Sequence, residues 1–183
     1  SNMVLKAMAI DKKGNKSFVT TAEYRKLPHN WSIKLNTPYE QQYSADGPDG
    51  LIDELHGTTN WHKGNWQGYQ KNNVDVVIDM QQMKYIHKVS MEFLQDTRAW
   101  IVMPKKIKVE LSIDGANYIE AYTGENFLQI EDMLAQIKNV VASFPSSAAR
   151  YVRIRAEQYG KLPAWHEGAG GDTHIFIDEI GIE

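Results

Sequence analysis

The chain of 183 residues contains no cysteine. Disulfides, thiolate metal sites and a cysteine nucleophile are therefore excluded. No apolar run approaches the length that a membrane-spanning helix needs, which argues against membrane insertion. Positive charge is not in excess. Twenty Lys and Arg against 23 Asp and Glu leave a formal charge of −3 and a pI near 6.1, the wrong balance for gripping a phosphate backbone. The densest basic run, Lys105, Lys106 and Lys108, is interleaved with apolar residues as a solvated strand face would be. The short signatures of enzyme chemistry are missing too: a nucleophile elbow, a P-loop, a dinucleotide fingerprint and HExxH. The six histidines show no zinc-ligand spacing.

What remains is β-rich sequence with enough apolar content, 42%, for one core. Short runs such as "VDVVIDM" (74–80), "YIHKVSMEFL" (85–94), "KIKVELSID" (106–114), "RYVRIRAE" (150–157) and "HIFIDEIGIE" (174–183) alternate with Gly, Pro, Asn and Asp clusters. An Asp-Gly step at 114–115 has the chemistry of a strand-joining turn. Many short strands between turns predict an all-β sandwich. The first segment reads as a β-hairpin, with Asp11 to Asn15 at its turn, and "KLPHN" marks a boundary near residue 30. Ser1-Asn2 has the look of a tag-removal scar. In "FLQIEDMLAQIKNVVASF", apolar residues recur at helical spacing, which predicts a helical turn or two over 129–135 before a strand.

Three chemistries compete for the loops. Glycoside hydrolysis needs two carboxylates facing each other across a substrate. The adjacent Asp178 and Glu179 cannot supply them within a regular strand, where successive side chains point to opposite faces. Their place in an apolar strand instead predicts that one is buried and neutralised by a partner. A hard-cation site has its elements in "GLIDELHGTT", which offers Asp53 beside Glu54, the hydroxyls of Thr58 and Thr59, and Gly57 for an unusual backbone angle. From the residues alone, a capped turn without a metal is the simpler reading of the same stretch. The third chemistry is ligand binding on aromatics. Trp61, Trp66, Tyr69, Trp100 and Trp165 lie in or beside polar, glycine-rich stretches, and indoles stack on the flat faces of sugars. "FLQDTRAW" gathers Gln95, Asp96, Arg98 and Trp100, while "PAWHEG" sets Trp165 beside His166 and Glu167.

Taken in order, "ADGPDGLIDELHGTTNW", "WQGY", "VDVVIDM", "IHKVSMEFLQD", "ARYVRIRAE" and "HIFIDEIGIE" resemble the discoidin, or coagulation factor 5/8 type C, family. Its bacterial members are often grouped with family 32 carbohydrate-binding modules. "WQG", "FLQD", "MPK", "GKLPAWH" with "GAGG", and "FIDEI" resemble the C-terminal module of Bacteroidetes family 20 β-N-acetylhexosaminidases. The resemblance covers about residues 31–183. It implies a galactose-binding-like jelly roll, with residues 1–30 as the hairpin tail of a preceding small β-sandwich.

The resemblance also implies a structural calcium ion. Its ligands would be Asp53, Thr58 and Glu179, with carbonyls from Gly50, Leu55 and Asp178. The sequence departs from the family here, since Asp53-Glu54 stands where Asp-Gly is usual and Leu55 where a polar residue is common. A non-catalytic module is implied, binding glycans that end in galactose or N-acetylhexosamine. The loops at 93–100 and 159–172 would present Gln95, Asp96, Arg98, Trp100, Trp165 and His166, with Trp66 in the 59–69 loop as a third wall. The parent enzyme's catalytic domain is a second expected partner. In the alternative reading the module packs on that domain through the "FLQD" and "PAWHEG" loops and binds no glycan. In either case the implied location is periplasmic, outer-membrane or extracellular.

Overall fold

The structure is a computed structural model that describes residues 2–24 and 26–183. Among the described residues, nine β-strands account for the architecture and no α-helix occurs. Strands β1 (Met3–Ala7) and β2 (Thr20–Tyr24) form a separate antiparallel hairpin, in register from Met3 opposite Tyr24 to Ala7 opposite Thr20. Its turn is held by Asp11, whose Oδ1 accepts the N–H groups of Lys13 and Asn15 at 2.8 and 2.9 Å. Both faces stay open to solvent, with Met3, Val4, Leu5, Ile10, Phe18 and Val19 all exposed.

The other strands are β3 (Ser32–Leu35), β4 (Gln67–Gln70), β5 (Val74–Gln95), β6 (Lys106–Ser112), β7 (Ile119–Glu125), β8 (Gln136–Glu157) and β9 (His174–Ile182). They make one continuous antiparallel sheet in the order β4-β9-β5-β8-β6-β7, with β3 added along β5. The sheet folds on itself because β5 and β8 are long enough to serve both layers of a jelly-roll sandwich. The first half of β5 pairs with β3 and the last third of β8, and its second half with β9 and the start of β8. Register shifts between Asp79/Lys84 and Ile86/Lys88 mark the corner, the usual device for strands that change sheets. The two runs at 74–80 and 85–94 are thus one bent strand.

Alternation builds the core. Val74, Val76, Ile78 and Met80 from the first half of β5 face Val89, Met91 and Phe93 from the second, joined by Val152, Ile154, Ile107, Val109, Ile175 and Ile177. Each is at most 2% exposed, and burying a side chain of this size is worth about 1.5–3 kcal/mol. The outer face of the first layer carries a ladder of paired charges: Arg150 with Asp79, Arg153 with Asp75, Arg155 with Glu110, and Lys108 with Glu120.

The helical turns expected over 129–135 do not form. Residues 129–132 make a single turn closed by Asp132 N–H to the Gln129 carbonyl at 3.2 Å, and β8 starts at Gln136. The Asp132 carboxylate caps the stretch by accepting from the Leu134 N–H and the Gln136 amide, which settles the backbone outside a helix.

Candidate functional site

One end of the sandwich is a cluster of loops that lock each other. β5 ends at Gln95, and Asp96 closes a tight loop by exchanging two backbone hydrogen bonds with Ile101, 3.0 and 3.1 Å. Trp100, at the tip, is left-handed with φ 66°. Its indole lies flat on the later loop. A Cβ added at Gly168 would fall 2.6 Å from the ring, and one at Gly171 2.7 Å, so "GAGG" is glycine-rich because Trp100 occupies the space of side chains. His166 is the latch between the loops. Its Nε2 lies 2.9 Å from the Thr97 carbonyl, and its Nδ1 lies 2.9 Å from the Gly168 N–H. A carbonyl only accepts and an amide N–H only donates, so the ring is the neutral tautomer with its proton on Nε2.

These contacts correct part of the sequence-based site. Gln95 is fully buried, with Nε2 donating to the carbonyls of Gln129 (2.8 Å) and Asp132 (3.1 Å), so it holds a turn and does not reach the surface. His166 is 4% exposed with both ring nitrogens engaged. Trp66, 2% exposed, is core: it packs with Leu94, Ile101 and Phe176 and donates Nε1–H to the Thr58 carbonyl at 2.9 Å. None of these three is available to a ligand. Trp165 is 49% exposed, Arg98 is exposed beside the partly covered Asp96, and Trp100 is half-buried. Sequence alone does not show this split, because the buried and exposed members are neighbours along the chain.

A second loop region, the third wall that the resemblance implies, lies beside this end. Trp61 stacks on His62 with ring centroids 3.6 Å apart and meets Tyr43 and Phe176 edge-on. The space between residues 42–46 and 61–66 is a pocket of about 400 Å³.

The acidic residues gather farther along β9. Asp178 lies four residues beyond His174, whose backbone holds the Trp100 loop, a rise of about 13 Å. The strand alternation expected there is broken by a β-bulge. Met91 pairs with Ile180 and Glu92 with Asp178, which leaves Glu179 as the extra residue with φ 22°. Both acids therefore reach the same turn. Glu179 Oε1 accepts the N–H groups of Asp53 (3.0 Å) and Glu54 (2.7 Å), while Asp178 Oδ2 accepts from the Gly57 N–H. Asp53 Oδ1 caps the turn through the Leu55 N–H at 2.8 Å. Gly57 lies beneath the Trp66 indole, where a Cβ would come within 2.3 Å of the ring. Gly50 is pressed against the Ala45 carbonyl, Leu55 is exposed, and the Thr58 hydroxyl lies 3.3 Å from the Asn60 carbonyl.

Burial pushes the Asp178 carboxyl up to about 7, with Glu92 and Asp53 adding like charge. Glu179 is raised as well, by burial, the adjoining Asp53 side chain and Asp178. His56 Nδ1 lies 3.1 Å from Glu92, which lifts the imidazole above its ordinary value. No lysine or arginine among the described residues pairs with Asp53, Asp178 or Glu179, and Asp178 Oδ1 is buried without a partner. An orphaned buried oxygen between crowded acids is what an oxygen-loving cation would satisfy. Among the described residues, no three His, Asp or Glu side chains form a ligand cluster by themselves, so such an ion would draw on carbonyls.

The F5/8 type C domain profile matches residues 32–170, well over half of the chain. The chain belongs to the F5/8 type C domain family. No curated protein matches it. Among solved structures, this F5/8 type C domain is similar to the CBM32-2 module of a GH31 protein bound to GalNAc, at 14% identity and TM-score 0.53, over 84% of this chain and 96% of that one. It is also similar to a GH29 fucosidase of Ruminococcus gnavus in complex with fucose, at 16% identity and TM-score 0.53, over 83% of this chain and 24% of the fucosidase. The C-terminal domain of a chitobiase from Bacteroides fragilis aligns at 19% identity and TM-score 0.45, over 82% of this chain and 92% of that domain. At such identities, the first two likenesses confirm the fold of the F5/8 type C domain and leave its ligand to be argued from its own residues.

Proposed function

We propose that the F5/8 type C domain is a non-catalytic carbohydrate-binding module that holds a β-N-acetylhexosaminidase near glycans ending in galactose or N-acetylhexosamine, outside the cytoplasm. The observation that carries this reading is Trp165, half-exposed on a loop whose backbone is locked by the His166 latch and the Trp100 stack. An indole carried on a locked backbone leaves little loop freedom to lose when a sugar stacks on it. Arg98, with Asp96 beside it, supplies donors and an acceptor for hydroxyls. GalNAc bound to the similar GH31 module is consistent with a sugar of this class. So shallow a site implies a dissociation constant on the order of 1 mM, or about 4 kcal/mol. Its use would lie in raising the effective concentration of an attached enzyme.

A calcium ion fits the acid pocket. The unpartnered Asp178 Oδ1, the Asp53 and Glu179 carboxylates, the Thr58 oxygen and the carbonyls of Gly50, Leu55 and Asp178 would hold it. When bound it supplies positive charge that lets the buried acids ionise and ties the 50–58 turn to β9. Within the chain, the Asp53, Glu54 and Gly57 N–H groups already fix the acids in position.

The exposed apolar hairpin favours a second role alongside the first, as a surface that packs on a further domain of a longer protein. Titrating GalNAc, GlcNAc and galactose into the domain, followed by NMR, tests glycan binding. Shifts centred on Trp165 and Arg98 that vanish in Trp165→Ala support it; an unchanged spectrum at tens of millimolar sugar removes it.

A further inference from the structure

A trough of about 480 Å³ crosses the outer face of the first sheet layer, well away from the loop end. Its floor is set by strand register: Ser32, Asp79, Tyr151 and Ser112 form one row across β3, β5, β8 and β6, and Lys34, Val77, Arg153 and Glu110 the next. β3 makes one wall. The 113–118 turn makes the other, folded over so that a Cβ on left-handed Gly115 would meet the Tyr151 ring at 3.2 Å. Two half-buried tyrosines, Tyr118 from the turn and Tyr151 from β8, thus line the trough.

The polar groups are fixed in place. Arg153 binds Asp75 with two hydrogen bonds, 2.9 and 2.6 Å, and lies 5.8 Å from the Tyr118 ring centre. Asn36 completes that network through Asp75 at 2.9 Å, and Arg150 holds Asp79 by two bonds of 2.8 and 2.9 Å. Asp79 and Arg153 are held in ion pairs, and among the described residues Lys34 is the one lining charge without an acidic partner, too little positive charge for a polyanion. It lacks the enclosed apolar wall that a greasy ligand needs. What it offers is ring surface, phenol hydroxyls, and rigid groups that both donate and accept, within the size range of ordinary ligand clefts, about 300–1,000 Å³. A neutral polyhydroxylated ring matches that set.

We infer that this trough is a second saccharide subsite, separate from the Trp165 loops, in which Tyr118 and Tyr151 take the faces of a neutral sugar and the Arg153–Asp75 and Asn36 network takes its hydroxyls. The inference rests on the reading of the domain as a carbohydrate-binding module. A module with two such places holds a branched or multivalent glycan more tightly than either place alone.

The test is amide shift mapping of the labelled domain with galactose, N-acetylgalactosamine and the disaccharide GalNAc-β-1,3-galactose, each up to tens of millimolar. The expected result is a set of shifts at Lys34, Val77, Gly115 and Tyr118, distinct from any set at Arg98 and Trp165. Tyr118→Ala should remove the first set at least five-fold in affinity and leave the second intact, while Trp165→Ala does the reverse. Shifts confined to the loop end overturn the trough and spare the loop reading. Shifts confined to the trough support it and overturn the loop reading. A silent spectrum overturns both. Wild-type mapping decides between these outcomes even if Tyr118→Ala is poorly folded.

Discussion

Replacing Gln95 by Leu tests whether this residue is scaffold or sugar contact. The side chain is fully buried, and its amide satisfies the carbonyls of Gln129 and Asp132. Leucine keeps roughly the volume and removes both donors. An acceptor left facing methyl groups costs about 1–3 kcal/mol, toward the low end here because the Asp132 carbonyl keeps the Thr97 hydroxyl at 3.3 Å and Gln129 is an exposed residue. Against this, Gln95 Oε1 is buried without a partner, so its removal relieves on the order of 1 kcal/mol. The net loss is about 1–2 kcal/mol, which for a domain of this size lowers Tm by roughly 2–8 °C. Urea unfolding followed by tryptophan fluorescence reads the energy, and hydrogen exchange reads the place, since amides over 129–136 should lose protection first. GalNAc shifts at Trp165 should survive. A variant as stable as the wild type that no longer binds sugar would refute the reasoning and return Gln95 to the binding surface.

Gly168→Ala forces a methyl to within 2.6 Å of the Trp100 ring, so an overpacking cost of about 1–3 kcal/mol is expected, with weaker sugar binding from the displaced loop. A thermal melt and a titration check it. Without a cation, Asp178 is raised from 3.8 to about 7, so the folded state holds the proton more tightly than the unfolded one. Stability of chelated protein should therefore fall as pH rises from 4 to 7, by up to about 4 kcal/mol, and calcium should abolish the slope. Chelated Asp178→Asn should show a shallower slope, the remainder coming from the raised Glu179, and should gain less from calcium in the same denaturation series. Asp79 is held low by Arg150, and Asp75 too, where the Arg153 and Asn36 hydrogen bonds outweigh burial. Their contribution is complete above the unfolded pKa near 4 and is lost as pH falls below it, so Arg153→Met should flatten the acid limb of an unfolding profile.

The sandwich was legible because strand alternation and turn chemistry are local signals. "VDVVIDM" alternates whatever surrounds it, and Asp114-Gly115 does turn the chain between β6 and β7. The helical spacing over 129–135 misled for the same reason: periodicity is only a preference, and the Gln95 amide together with the Asp132 cap overrode it. Glu179 escaped the alternation rule because the bulge exists only in the pairing of β9 with β5.

By itself the sequence determined the all-β class, the positions of most strands, the exclusion of thiol chemistry, and the meeting of the Asp53 turn with Asp178 and Glu179 that its resemblance implied. Tertiary structure alone decided which polar residues face outward. Gln95 and Arg98 are three residues apart, and Trp165 and His166 are adjacent, yet one of each pair is scaffold and the other surface. Their fates are set by partners some 34 to 70 positions away, such as Gln129 and Thr97, and no local pattern carries that information.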